Sequence, residues 1–128
     1  MLYSGMSTKS PSRVFKTAWF TRAAKKVRIG DPELCTAIQQ VKMVQADDLG
    51  GGVFKKRLND NMHRSIVLAK GGHYWVYAYL FAKQDRANIL PDELLEFRKL
   101  AAAYARMTVS EVNIELRNGD LLEICHDE

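Results

Sequence analysis

The chain has 128 residues, 47% of them hydrophobic and 27% charged, which is one domain's worth of ordinary globular protein and excludes a wholly disordered chain. Two cysteines are too few for a disulfide scaffold and point to a reducing compartment, and no apolar run approaches the ~18 residues a membrane span needs. The net charge of +4 is unevenly spread: residues 1–70 hold 13 basic and 5 acidic side chains, residues 71–128 hold 6 and 10.

A half this basic attracts polyanions, nucleic acid foremost, unless it is only a solvated Lys/Arg surface. Residues 1–12 (MLYSGMSTKSPS) are polar and Ser-rich, with neither packing periodicity nor the apolar stretch of a secretory signal. They read as a flexible leader, leaving residues 13–128 as a single domain.

Val14 to Thr17 reads as a short strand. Trp19 to Lys26 has helical character, broken at Gly30. Asp31-Pro32-Glu33 opens a second helix, with Asp31 as N-cap, and Leu34, Ala37, Ile38 and Val41 carry its apolar stripe to about Ala46. The two helices are expected to form an antiparallel hairpin. Gly50-Gly51-Gly52 is a sharp break. Three strands follow, over Val53–Leu58, about Arg64–Ala69 and Tyr74–Ala82, the last two joined as a hairpin through Gly71-Gly72. Pro91-Asp92-Glu93 starts another helix. Thr108-x-x-Glu111 is a capping box for a short one that ends at Asn118-Gly119. Leu121 to Cys125 is a last strand or an extended tail. The order predicts an α+β fold on a mainly antiparallel sheet. Trp19, Trp75, Tyr77, Tyr79 and Phe81 read as core or sheet packing, with Tyr74 and Tyr79 the aromatics that could reach a nucleic acid. Cys35 reads as buried and Cys125 as inert.

Familiar catalytic patterns are missing. His63, His73 and His126 are scattered and pair with no cysteine at a zinc-binding interval, so no metal site is expected. There is no P-loop, dinucleotide fingerprint or Gly-x-Ser-x-Gly elbow. The concentrated feature is Lys55-Lys56-Arg57 on one strand with Arg64 on the next. Alternation puts Lys55 and Arg57 on one face and Lys56 on the other, with Phe54 and Leu58. Lys83 and Arg86 follow the last long strand and could reach the same face. Such a cluster can hold a phosphodiester and stabilise the charge of its transition state, and crowding lowers a lysine's pKa toward proton transfer. A charged edge strand that resists aggregation is the alternative.

Three segments together resemble one family. They are Val14-Phe15-Lys16-Thr17-x-Trp19-Phe20, the Asp48-Leu49-Gly50-Gly51-Gly52 turn with Lys55-Lys56-Arg57, and Phe81-Ala82-Lys83-x-x-Arg86-x-Asn88-Ile89. The pattern resembles RelE/ParE-superfamily toxins of type II toxin–antitoxin systems, in a HigB-related branch. The resemblance implies two N-terminal helices packed on a small twisted, mainly antiparallel sheet, with a further C-terminal helix. It also implies a ribosome-dependent mRNA endonuclease that cuts by 2′-hydroxyl attack without metal or other cofactor. The implied partners are the ribosome, mRNA and a cognate helix-turn-helix antitoxin of HigA-like type, in the cytoplasm and away from any membrane. Position by position, it gives Lys55, Arg57, Arg64, Lys83 and Arg86 catalytic roles, with Lys56 in the same block but off the cluster face; Lys56 and the basic Arg22, Lys25 and Lys26 are expected to hold RNA. The loop before the arginine strand is shortened to residues 59–63, and Gln84 and Leu90 stand where an arginine and a tyrosine are familiar. His63 could then supply stacking or proton transfer. A ParE-like gyrase inhibitor, or a decayed toxin that only binds RNA or antitoxin, are the alternatives the resemblance leaves.

Overall fold

The computed structural model describes residues 12–70 and 73–126. Residues 1–11 of the expected leader, and Gly71-Gly72 of the expected hairpin, lie outside the described residues. The elements are β1 (Arg13–Thr17), α1 (Ala18–Lys26), α2 (Asp31–Lys42), β2 (Asp47–Gly50), β3 (Val53–Leu58), β4 (His63–Lys70), β5 (Tyr74–Ala82), α3 (Pro91–Ala105), α4 (Val109–Asn118) and β6 (Leu121–Ile124). Among the described residues, four helices and one six-stranded sheet of order β2-β3-β4-β5-β1-β6 give an α+β architecture. The sheet is mixed, because β1 runs parallel to β5 while the other pairings are antiparallel.

The strands read as apolar on both faces because both faces are covered. On one side Val14, Val67, Trp75 and Tyr77 share a core with Phe20 and Ala24 of α1 and with Leu34, Ala37, Ile38 and Val41 of α2. On the other, Phe15, Val53, Ile66, Leu68 and Val76 pack with Ala101 of α3 and Val112 of α4. Neighbouring residues alternate between the two cores, as strand geometry requires. The Tyr77 hydroxyl donates to the Leu34 carbonyl at 2.7 Å, tying the sheet to α2 through a buried bond.

Four local expectations need correction. Asp31 is the first residue of α2 and Gly30 is its cap. The Asp31 carboxylate accepts from Lys16 Nζ at 2.7 Å instead. Helix α2 ends at Lys42, short of Ala46, because Val44 turns into the left-handed region at φ 62°. Residues 47–50 then form an exposed edge strand that their composition hides, returned to β3 by Gly50, Gly51 and Gly52 at φ 82°, 65° and 82°. Cys35 and Cys125 are joined in a disulfide across 90 residues. That bond fastens the start of α2 to the residue after β6.

Candidate functional site

The β3–β4 turn sets the geometry. Asn59, Asp60 and Asn61 all adopt left-handed backbone, at φ 56°, 52° and 70°. Asn and Asp tolerate that region better than most side chains, so a short polar loop suffices. The tight turn fixes the register: Leu58 pairs with His63 and Arg57 with Arg64. Arg64 in turn pairs with Phe81 of β5. Arg57, Arg64 and Phe81 therefore form one row across three strands, on the face that carries Val53, Ile66 and α3. Lys55, Ile66 and Tyr79 form the next row.

The cations on this face differ in what holds them. Lys55 Nζ donates to Asn88 Oδ1 at 3.2 Å and lies 3.7 Å from Asp47. The Arg86 guanidinium is paired with Glu93, donates to the Tyr79 hydroxyl at 3.3 Å, and lies over the Phe81 ring. Arg64 donates to two backbone carbonyls, Asn61 at 3.0 Å and His63 at 3.2 Å. Arg57 is exposed. Lys83, also exposed, follows β5, and its backbone N–H continues the ladder to the Met62 carbonyl. Among the described residues neither Arg57, Arg64 nor Lys83 pairs with a carboxylate.

The remaining positions lie elsewhere. Lys56 is on the opposite face from Lys55 and Arg57, with its Nζ on the Gln45 carbonyl at 3.1 Å. Burial, and then the charge of Arg57, lower its pKa. His63 is buried and also points to the opposite face from Arg64, its Nδ1 3.1 Å from Asn59 Nδ2. It is not part of the cation row, because adjacent residues on a strand face opposite ways. Instead His63 borders a cavity of about 470 Å³ shared with Trp19, Arg22, Lys26, Tyr79 and Arg86, with Asp85 the one acid among the described residues that line it. Lys25 turns away, toward a second hollow beside Arg28 and Asp31.

Two relationships are not legible in the sequence. Trp19, expected in the core, is 44% exposed and stacks on Tyr79 with ring centroids 4.9 Å apart. Glu93, read only as a helix-start acid, neutralises Arg86 while accepting from the Leu90 N–H. Among the described residues no group of three or more His, Cys, Asp or Glu side chains is placed to hold a metal ion.

The geometry defines a small mixed α+β domain whose sheet carries, at one end, arginines without a carboxylate partner among the described residues. The sequence matches the RelE family, described as the RelE toxin of the RelE/RelB toxin–antitoxin system, over residues 12–124, and the chain belongs to that family. Its partner class is accordingly an antitoxin. No curated protein and no solved structure gives a match.

Proposed function

We propose that this toxin is a ribosome-dependent mRNA endonuclease of the HigB-related branch, neutralised by a helix-turn-helix antitoxin. RelE toxins are generally endoribonucleases. The observation that carries the reading is the Arg57–Arg64 pair: two arginines at directly opposite positions of the β3–β4 ladder, on one sheet face, with no carboxylate partner for either among the described residues. Like charges placed opposite across a strand pair destabilise the sheet. A phosphodiester would relieve that repulsion.

In the reaction, the mRNA's 2′-hydroxyl oxygen would bond to the adjacent phosphorus as its proton passes to water, while the bond from phosphorus to the 5′-oxygen of the next nucleotide breaks and that oxygen takes up a proton to leave as a hydroxyl. Negative charge builds on the phosphoryl oxygens. Arg57 and Arg64 would hold those oxygens, with Lys83 and Lys55 alongside, and preorganised donors of this kind stabilise the transition state more than the ground state. Arg86, held by Glu93, would orient the strand at the edge of the row. Lys56, Arg22, Lys25 and Lys26 would bind further RNA through its phosphates. His63, on the opposite face, is assigned to the edge cavity and not to the scissile phosphate.

Ribosomes place the activity in the cytoplasm. No described helix is long and apolar enough to cross a membrane. The cytoplasm keeps thiols reduced, so the Cys35–Cys125 bond is the feature that argues against that compartment. The test is a translation extract supplied with the protein. Cut mRNA, and intact mRNA with Arg64→Ala, support the reading. Intact mRNA with saturating wild-type protein refutes it, and inhibition of gyrase supercoiling in its place would indicate the ParE-like activity.

A further inference from the structure

Strand β1 covers β5 only over Tyr74–Tyr77. From Ala78 to Ala82, β5 has β4 on one side and, among the described residues, no strand on the other. Trp19, in the first turn of α1, sits over this open edge with its ring on Tyr79 at an interplanar angle of 25°. Its neighbour Phe20 is fully buried. Arg22 and Lys26 follow Trp19 at the third and seventh positions, so all three share one helix face. Both are exposed and pair with no carboxylate among the described residues. With Arg86 they rim the cavity whose wall includes Tyr79 and Phe81.

An open aromatic face flanked by unpaired cations matches the chemistry of a single-stranded nucleotide. Bases stack on aromatic rings, and Arg and Lys meet the phosphates on either side. We propose that this edge cavity seats one nucleotide of single-stranded RNA, its base against Trp19 and its phosphates against Arg22 and Lys26. The inference rests on the endonuclease reading for RNA as the ligand. Arg86 borders both the cavity and the cation row, so the seat belongs to a nucleotide beside the scissile linkage.

The test uses a 2′-O-methyl hexaribonucleotide, which lacks the attacking hydroxyl and stays intact. Trp19 is one of two tryptophans, so in Trp75→Phe it is the sole indole reporter. Saturable quenching of its fluorescence by the hexamer is expected. Trp19→Leu should weaken hexamer binding about 10-fold, and Trp19→Phe, which keeps an aromatic face, should remain within about 3-fold of wild type. Arg22→Ala with Lys26→Ala should reduce the dependence of affinity on salt. Unquenched fluorescence with bound hexamer, or Trp19→Leu binding within about 2-fold of wild type, would overturn the site. If Trp19→Leu fails to fold, the quenching and Trp19→Phe measurements still decide. Trp19-dependent binding without mRNA cutting by wild type would sink the endonuclease reading alone. Cutting without Trp19-dependent binding would sink this inference alone.

Discussion

Arg57 and Arg64 lie directly opposite each other across the β3–β4 ladder, and neither is neutralised by a carboxylate among the described residues. The facing charges themselves oppose folding, since like charges in facing positions repel, and they offset what Arg64 gains from its bonds to the Asn61 and His63 carbonyls. Arg57→Ala and Arg64→Ala should therefore separate activity from stability. Each should slow mRNA cleavage by about 10²–10³-fold, the range seen when a preorganised oxyanion donor is removed. Each should leave the unfolding free energy within about 0.5 kcal/mol of wild type or slightly raise it. Urea denaturation beside a cleavage assay measures both.

Tyr77 predicts the opposite separation. Burial pushes its hydroxyl well above the ordinary tyrosine pKa, so it remains a neutral donor to the Leu34 carbonyl. Tyr77→Phe keeps the ring against Phe20 but leaves that carbonyl without this donor. The expected cost is about 1–2 kcal/mol of stability. Cleavage at a temperature where both proteins are folded should be unchanged, because Tyr77 belongs to the core on the face opposite the cation row.

The sequence made some of this legible and hid the rest for identifiable reasons. Pro32, Pro91 and the Thr108–Glu111 box mark helix starts through local chemistry, and the structure begins α2, α3 and α4 there. Strand alternation separates Lys56 from Lys55 and Arg57 without any tertiary information. Edge strand β2 escaped because Asp47-Asp48-Leu49-Gly50 has low strand propensity and owes its form to pairing with β3. The Trp19–Tyr79 stack and the Cys35–Cys125 bond join segments 60 and 90 residues apart, and one sequence carries no signal for such proximity. The Arg86–Glu93 pair closes over the turn between β5 and α3, a contact that helical spacing does not reveal.

The disulfide gives a third prediction. It closes a loop of about 90 residues between α2 and the end of β6. Reduction, or Cys35→Ser with Cys125→Ser, should lower stability by about 2–4 kcal/mol through the freed unfolded chain. Because the cation row lies on β3 and β4, the reduced protein should still cut mRNA wherever it is folded. Urea titrations with and without dithiothreitol report the difference.

The acid limb of stability should trace partly to Glu123. Hydrogen bonds from Arg13, with bonding distances of 2.8 and 2.9 Å, hold its carboxyl below the ordinary value of 4.5 in the folded chain. A depressed folded pKa contributes stability that is present above the unfolded value and lost as pH falls through the folded one. Wild type should exceed Glu123→Gln in urea midpoint at pH 7. The gap should narrow below about pH 4.5 and close once Glu123 is protonated in both states. A gap that stays constant down to pH 2 would show that the Arg13 pairing is not its source.

The most direct measurement is single-turnover cleavage of a message held in the A site of a stalled ribosome, comparing wild type, Arg64→Lys and Arg64→Ala. Wild type should cut fast, leaving a 2′,3′-cyclic phosphate upstream and a 5′-hydroxyl downstream. Arg64→Lys, which keeps the charge but not the fork of donors, should fall between wild type and a nearly inactive Arg64→Ala. Equal rates for all three proteins would contradict the catalytic role of Arg64.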